Sequence, residues 1–235
     1  MTMYWVLFIG IAVVSWLVQW NLNRKFEKYS KMPLSNGMTG AQVAEKMLRD
    51  NGIDNVQVQA TNGMLTDNYN PSNHTISLSE GVYASDSVAA AAVAAHETGH
   101  AIQHAKAYGP LKMRSALVPI VSFSSKWVTW ILLGGLLLMG NGQSGMSSMG
   151  STVLAVGIGL FAMTTLFSFI TLPVEINASQ RALAWLSKAG ITNSYNDAAA
   201  KDALKAAAYT YVVAALGSLA TLLYYVMIFL GGRRN

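Results

Sequence analysis

The longest uncharged stretch of the sequence is WVTWILLGGLLLMGNGQSGMSSMGSTVLAVGIGLFAMTTLFSFITLPV, residues 127–174. Its 48 residues exceed the length of one bilayer-spanning helix, which needs about 20 mostly apolar residues. The polar, glycine-rich segment 140–145 divides the stretch and is typical of a turn. The stretch therefore predicts a hairpin of two transmembrane helices, at 117–139 and 151–172.

Two shorter uncharged runs, residues 1–23 and 206–232, extend the pattern. A charge in the bilayer core costs at least about 2.5 kcal/mol, so such runs are typical of membrane spans. We predict transmembrane helices at 1–23 and 208–230, the first as an uncleaved anchor because its basic residues follow the apolar run. Only 11% of the residues are charged, against about 25% in soluble domains. The alternative, a soluble helical core, would show a polar stripe on each helix.

The four predicted spans place both termini on one side of the membrane and the polar segments 24–116 and 173–207 on the other. This second side carries 14 of the 16 lysines and arginines when Lys126, at the edge of its predicted span, is counted with it. Basic residues beside membrane spans tend to stay in the cytoplasm. We therefore predict a multi-pass integral membrane protein whose polar segments face the cytoplasm. The excess of basic residues, a net charge of +5, is interpreted as a sign of membrane orientation. No nucleic-acid partner is predicted.

The polar segments have enough local pattern to predict their secondary structure. Thr39 is a suitable N-cap for a helix, Pro173 favours a helix start, and Gly109-Pro110 favours a helix end. The predicted elements are a helix over 40–50, strands over 56–60 and 74–79 with turns over 61–73 between them, a long helix from Asp86 or Ser87 to about Tyr108, a helix beginning near Pro173, and a helix over 193–205 that leads into the last span.

The long alanine-rich helix contains His96-Glu97-Thr98-Gly99-His100, which has the pattern H-E-x-x-H. Helical positions four apart share one face, with about 5–6 Å between their Cβ atoms, so both imidazoles can bind one zinc ion. Glu97 lies about 100° around the helix and can act as general base toward a water that zinc acidifies. The sequence has no cysteine, so a metal site here must use His, Asp or Glu. The alternative is a solvated helix with two incidental histidines.

A catalytic zinc ion needs a third protein ligand. His104 cannot be added to His96 and His100, because eight residues span about 12 Å of helix. Glu175 is the preferred candidate, since it is the first acid after the uncharged stretch and emerges on the predicted side of the two histidines. The other candidates on that side are His74, Glu80 and Asp86.

Four segments of the sequence resemble the bacterial membrane-bound neutral zinc metallopeptidases, the zinc peptidase 2 group. The group is similar to gluzincins, in which a glutamate on a later helix is the third zinc ligand, and the heat-shock membrane proteases are related to it. The resembling segments are DNYNP at 67–71, ISLS at 76–79, AAHETGHAIQH at 94–104 and PVEINAS at 173–179.

The resemblance implies a mainly α-helical membrane protein in which four transmembrane helices accompany a small α+β, zincin-like catalytic unit. It implies that His96, His100 and Glu175 bind one catalytic Zn²⁺ and that Glu97 is the general base. It also implies a bacterial inner membrane location. The heat-shock relatives usually have an aspartate four residues after the ligand glutamate, where this sequence has Ser179.

The sequence therefore predicts a zinc metalloendopeptidase embedded in the lipid bilayer, with peptide or protein substrates in or near the membrane. Similar ligand sets also accept cobalt or manganese. The alternative function is a non-catalytic membrane scaffold or chaperone-type protein with a structural metal site, which four ligands would close. A transporter would need ionisable groups inside its spans, and the uncharged runs contain none.

Two expectations concern the substrate. The strand just before the zinc helix, at 75–79, is expected to offer an exposed edge that pairs with the substrate backbone. An oxyanion-stabilising side chain is also expected on the same side of the membrane. The candidates for that role are His104, Arg114, Arg181 and Tyr209.

Overall fold

The structure is a computed structural model that describes residues 2–140 and 144–232. These residues form a mostly helical protein with one small sheet. The helices are α1 (Thr2–Ser30), α2 (Gly40–Asp50), α3 (Glu80–Tyr83), α4 (Val88–Ala105), α5 (Gly109–Gly140), α6 (Ser144–Lys188) and α7 (Ser194–Gly232), and the strands are β1 (Gln57–Thr61), β2 (Asn68–Asn70) and β3 (Thr75–Ser79).

Four helices of the described residues are long and apolar enough to cross a membrane, which is the number of candidate spans that the sequence predicts. The helices extend beyond the predicted spans. α1 continues through its basic residues to Ser30, and α5 already begins at Gly109. Pro110 therefore lies in a first helical turn, where proline's missing N–H is not needed, and does not mark the end of α4. Part of the predicted turn at 140–145, residues 141–143, lies outside the described residues.

The predicted helix start at Pro173 is wrong. α6 is one continuous helix with Pro173 in its interior. An interior proline removes one backbone hydrogen bond, but helices in membrane proteins tolerate this loss. Val174 and Ala178 on the following turn are completely buried, so packing favours continuation of the helix. Glu175 therefore lies inside a helix and not in a first turn.

The chain divides into two compact units. The first contains residues 1–15, 113–172 and 211–235, and its described part has a small core formed by Val128, Leu132, Leu154 and Tyr225. Large apolar side chains lie on its outside, such as Trp130 and Leu137 with 70% and 71% of their surface exposed. Such exposure is unfavourable in water and is typical of helices that face lipid.

The second unit contains residues 16–112 and 173–210 and includes the three-stranded sheet. The strand order is β1-β3-β2, with β1 parallel and β2 antiparallel to β3. β1 and β3 lie within one residue of the predicted strands, whereas β2 lies in the segment predicted as turns. Asparagine is depleted in strands, so the sequence NYN carried no strand signal.

The expectation that the strand at 75–79 is an exposed edge is wrong. β3 is the central strand and pairs with β1 and β2. Its Ile76 and Leu78 side chains are completely buried. In the order β1-β3-β2, the outer strands are the edges of the sheet, and β2 is the edge strand on the antiparallel side of β3.

Helix α4 is the buried centre of the second unit. Ser87 is its N-cap and accepts a hydrogen bond from the Ala90 N–H, so Ser87 and not Asp86 has the capping role. Its alanines pack among residues of α2 such as Val43 and Met47 in one hydrophobic core, because a methyl side chain permits close approach of neighbouring elements. The helix predicted at 40–50 is confirmed as α2. The sequence His96–His100 therefore lies on a helix that is fixed by packing on several sides.

Candidate metal centre

Helices α4 and α6 bring His96, His100 and Glu175 together within the second unit. The Oε2 atom of Glu175 lies 3.2 Å from Nε2 of His96 and 3.5 Å from Nε2 of His100. Among the described residues, these three form the group of His, Asp and Glu side chains that could hold one metal ion. The other candidates from the sequence, His74, Glu80, Asp86 and His104, are not part of such a group.

The spacing of the donor atoms fits a tetrahedral zinc ion. Bonds of about 2.0–2.1 Å at tetrahedral angles separate neighbouring ligand atoms by roughly 3.3 Å, close to the distances above. The imidazole planes of His96 and His100 are nearly perpendicular, at 84°, with 4.8 Å between the ring centroids. Glu175 and His100 are buried, and a buried carboxylate requires a compensating positive partner. A divalent cation bound here would supply that charge.

Gln103 sets the protonation of His100. Its side-chain Nε2 donates to the Val174 carbonyl at 2.8 Å, which can only accept, so its Oε1 faces Nδ1 of His100 at 3.0 Å. An amide oxygen cannot donate, and Nδ1 of His100 must therefore carry the proton. The neutral ring then keeps its Nε2 lone pair for a metal. Gln103 is completely buried and ties the histidine of α4 to the residue before Glu175 on α6.

Ser179 has the corresponding position beside His96. Its Oγ lies 3.0 Å from Nδ1 of His96 and can accept a hydrogen bond from the Nδ1–H group, which leaves the Nε2 lone pair free toward Glu175. Metal-binding histidines almost always donate their second ring N–H to such an acceptor. The serine hydroxyl adds no negative charge beside His96.

Gly99 allows α4 and α6 to approach closely. A Cβ atom at this position would lie 2.7 Å from the carbonyl oxygen of Ala178 and 3.1 Å from its Cα. Backbone atoms cannot move aside as the end of a flexible side chain can. The glycine inside the H-E-x-x-H pattern is therefore required by the contact that brings Glu175 to the histidines.

Glu97 lies beside the three candidate ligands without being one of them. Its Oε2 accepts a hydrogen bond from the backbone N–H of Tyr69 at 2.9 Å, so the carboxylate is held by the edge strand β2. Burial opposes the charged form of His100, but the Glu175 and Glu97 carboxylates outweigh it and raise the pKa of His100. The Glu97 carboxylate therefore lies close enough to His100 to favour the charged form of its ring.

Tyr69 contacts this centre, although the sequence pattern places it only within a resembling segment and gives it no role. Its hydroxyl group lies 2.8 Å from Nδ1 of His104, whose ring is in turn 5.3 Å from the ring of His74. Burial raises the pKa of Tyr69, so the hydroxyl stays protonated at neutral pH. The sequence offered one signal for a role of this residue, namely an aromatic side chain between two asparagines in an otherwise polar segment.

The candidates for oxyanion stabilisation lie in different places. Arg181 donates through Nε to Asn177 Oδ1 at 2.7 Å, and the same oxygen accepts from Gln103 Nε2 at 3.0 Å. Arg181 thus belongs to the network behind the candidate ligands. Tyr209 is half exposed, with the Lys205 ammonium above its ring, and Arg114 belongs to the first unit.

A Gln103→Leu variant should bind zinc about 10–100-fold more weakly than the wild type, as expected when the partner of a ligating histidine is removed. Leucine fills the space but can neither accept from His100 nor donate to Val174. Competition with a chromogenic zinc chelator measures the affinity in the purified, detergent-solubilised protein.

The matched control is Gln59→Leu in β1, where the glutamine is exposed and bonds only Ser77 among the contacts described. It should keep wild-type affinity. Equal affinity of the two variants would show that Gln103 does not prepare His100 for a metal.

Comparisons with known proteins identify the family of the chain. Residues 4–230 match the family described as "Putative neutral zinc metallopeptidase". The protein named "Putative membrane protease YugP" from Bacillus subtilis (strain 168) is 42% identical over 230 residues, which cover 97% of each chain. No solved structure is significantly similar to this chain. Both sequence matches extend over nearly the whole chain, which therefore belongs to the neutral zinc metallopeptidase family.

Proposed function

We propose that the protein is a membrane-embedded zinc metalloendopeptidase of the gluzincin type, in which His96, His100 and Glu175 hold one zinc ion and Glu97 is the general base. The observation that carries the proposal is the set of three buried donor side chains with a carboxylate beside them that is not a ligand. Three protein ligands leave one position for water or substrate, whereas structural zinc sites are closed by four. The scaffold alternative has no such support among the described residues.

The residues around the centre have separate parts in peptide hydrolysis. Zinc bound here would polarise the scissile carbonyl and lower the pKa of a bound water towards about 7. Glu97 removes a proton from the attacking water and then delivers it to the nitrogen of the leaving peptide. Gln103 keeps His100 in the tautomer that ligates, and Ser179 can accept a hydrogen bond from Nδ1–H of His96 in the same tautomer. Because Arg181 is held in the network behind the candidate ligands, Tyr69, His104 and Tyr209 are the candidates of the second unit for donating a hydrogen bond to the oxyanion.

Strand β2 is the element best suited to hold the substrate. It is the last strand of the described sheet, and the Tyr69 N–H points away from β3 toward Glu97. A substrate in extended conformation that pairs with this edge would bring its backbone beside the general base. This proposal replaces the expectation that assigned the same role to the strand at 75–79.

Removal of the metal tests the proposal directly. Purified protein should contain about one zinc per chain, lose cleavage of an unfolded protein substrate after dialysis against a chelator, and regain it when zinc is added. Far-ultraviolet circular dichroism should be recorded at each step to show that the chain stays folded. Full proteolysis by folded, metal-free protein would contradict the proposal.

The membrane setting is also part of the proposal. Glu175 is the first charge after the uncharged stretch and belongs to the same helix, so we propose substrates that are membrane proteins or segments close to the bilayer. We further propose that the protein lies in the bacterial inner membrane with the centre on the cytoplasmic side. A reporter enzyme that is active only in the periplasm should then be active when fused after residue 235. An inactive fusion at that site would indicate the opposite orientation.

A further inference from the structure

The loop between β1 and β2 holds two large apolar side chains in the open. Met64 is 86% exposed, the highest value for a large hydrophobic residue in the described part of the chain, and Leu65 is 40% exposed. Leu65 has a φ of +55°, a region that is uncommon for residues with a Cβ atom and suggests a functional constraint. The exposure of these two apolar side chains on a loop with an unusual backbone conformation therefore points to a binding role.

The base of this loop is firmly held by the sheet. Thr66 Oγ1 donates to the Asn62 carbonyl at 3.1 Å, and Asp67 Oδ1 accepts from the backbone N–H of Ser79 at 2.8 Å. The second contact ties the loop to the end of the central strand β3. Met64 and Leu65 are thus presented at the tip of an anchored loop.

The loop tip lies beside the part of α1 in which its uncharged run ends and its basic residues begin. Met64 and Leu65 share with Trp20, Arg24 and Phe26 a groove of about 560 Å³. Trp20 is 51% exposed, and the Arg24 guanidinium lies over its ring at 5.3 Å from the centroid. A tryptophan followed by basic residues at the end of an apolar helix is typical of the membrane–water interface. The loop tip therefore lies against the interfacial segment of a candidate span.

We propose that the loop tip is a second membrane contact, in which Met64 and Leu65 insert into the boundary between lipid headgroups and acyl chains. Arg24 lines the groove and, with Lys28 on α1, supplies positive charge that attracts anionic headgroups. Glu27 lines the groove as well, but its carboxylate is paired with Lys31. Apolar side chains with adjacent cationic ones match the chemistry of that boundary, which is about 5–10 Å deep for interfacial segments. The partner is the lipid bilayer itself.

This contact would also restrain the edge strand. β2 begins at Asn68, three residues after Leu65, and its Tyr69 N–H bonds Glu97. Anchoring of the tip in lipid would thus help to hold β2 in place beside the general base. That consequence rests on the proposed function, whereas the lipid contact does not.

The sequence contains no cysteine, so a probe can be placed without other changes. The full chain with Met64→Cys is labelled with an environment-sensitive fluorophore and reconstituted in vesicles of phosphatidylethanolamine and phosphatidylglycerol with ordinary or brominated acyl chains. Two further variants serve as references for a label in lipid and a label in water. Val13→Cys is an exposed position of the apolar part of α1, and Ser72→Cys is an exposed position of the turn between β2 and β3.

Brominated lipid should quench the label at 64 nearly as strongly as the label at 13 and several-fold more than the label at 72. Because Met64 is exposed, its substitution leaves the core intact. Quenching at 64 that equals quenching at 72 would overturn the proposal. A label at 64 that stays in water in vesicles and is shielded only by an added apolar peptide would overturn it too, since the surface would then bind peptide. Neither outcome depends on peptidase activity.

Discussion

A Glu97→Gln variant should keep its zinc and lose at least about 99% of its proteolytic activity, since general base catalysis contributes about 10²–10⁴-fold. Glutamine has nearly the same shape, and its Oε1 can still accept the N–H of Tyr69, so strand β2 should stay in place. It cannot take a proton from water. The candidate metal ligands His96, His100 and Glu175 are unchanged.

Two measurements on the same preparation separate chemistry from structure. Elemental analysis gives the zinc content per chain, and cleavage of an unfolded protein substrate gives the activity. The matched control is Glu80→Gln, because Glu80 is an exposed glutamate on α3 of the same unit. The control should behave as wild type. Wild-type turnover by the Glu97 variant would reject this residue as the base.

A Gly99→Ala variant should lose the metal centre itself. The added methyl group meets the Ala178 backbone at 2.7 Å, and overpacking of this kind costs typically about 1–3 kcal/mol. Alanine favours a helix by about 1 kcal/mol over glycine, which does not remove the clash. The helices must separate to relieve it, and α6 carries Glu175. Since metal–ligand distances hold within about 0.2 Å, even a small separation should release the third ligand.

The measured quantities are zinc content and thermal unfolding temperature, both of which should fall. Gly81→Ala is the matched control, since Gly81 is an exposed helical glycine at which an added Cβ atom would have no neighbour within 4 Å. It should keep its zinc and unfold at the wild-type temperature or above. Normal zinc content in the Gly99 variant would show that the two helices can adjust without loss of the site.

The sequence predicted the four spans and the identity of the candidate ligands for two local reasons. A charge is so unfavourable in hydrocarbon that its absence over about 20 residues is itself a structural signal. Residues four apart on a helix share a face whatever surrounds them, so His96 and His100 could be paired before any fold was known. Glu175 was found because it is the first charge after residues 127–174, not because of its predicted helix start.

The tertiary structure decided what depends on contacts between distant segments. α6 passes through Pro173 without a break because Val174 and Ala178 are buried, and β2 forms from NYN because β3 offers it a partner. Packing thus overrides the local preferences of proline and asparagine. The hydrogen bonds that orient the two histidines likewise join residues that are near in space, and Gln103 reaches α6 across 71 positions of sequence. The local sequence pattern predicted which residues supply the donor atoms, and long-range packing determined how these residues are oriented toward one another.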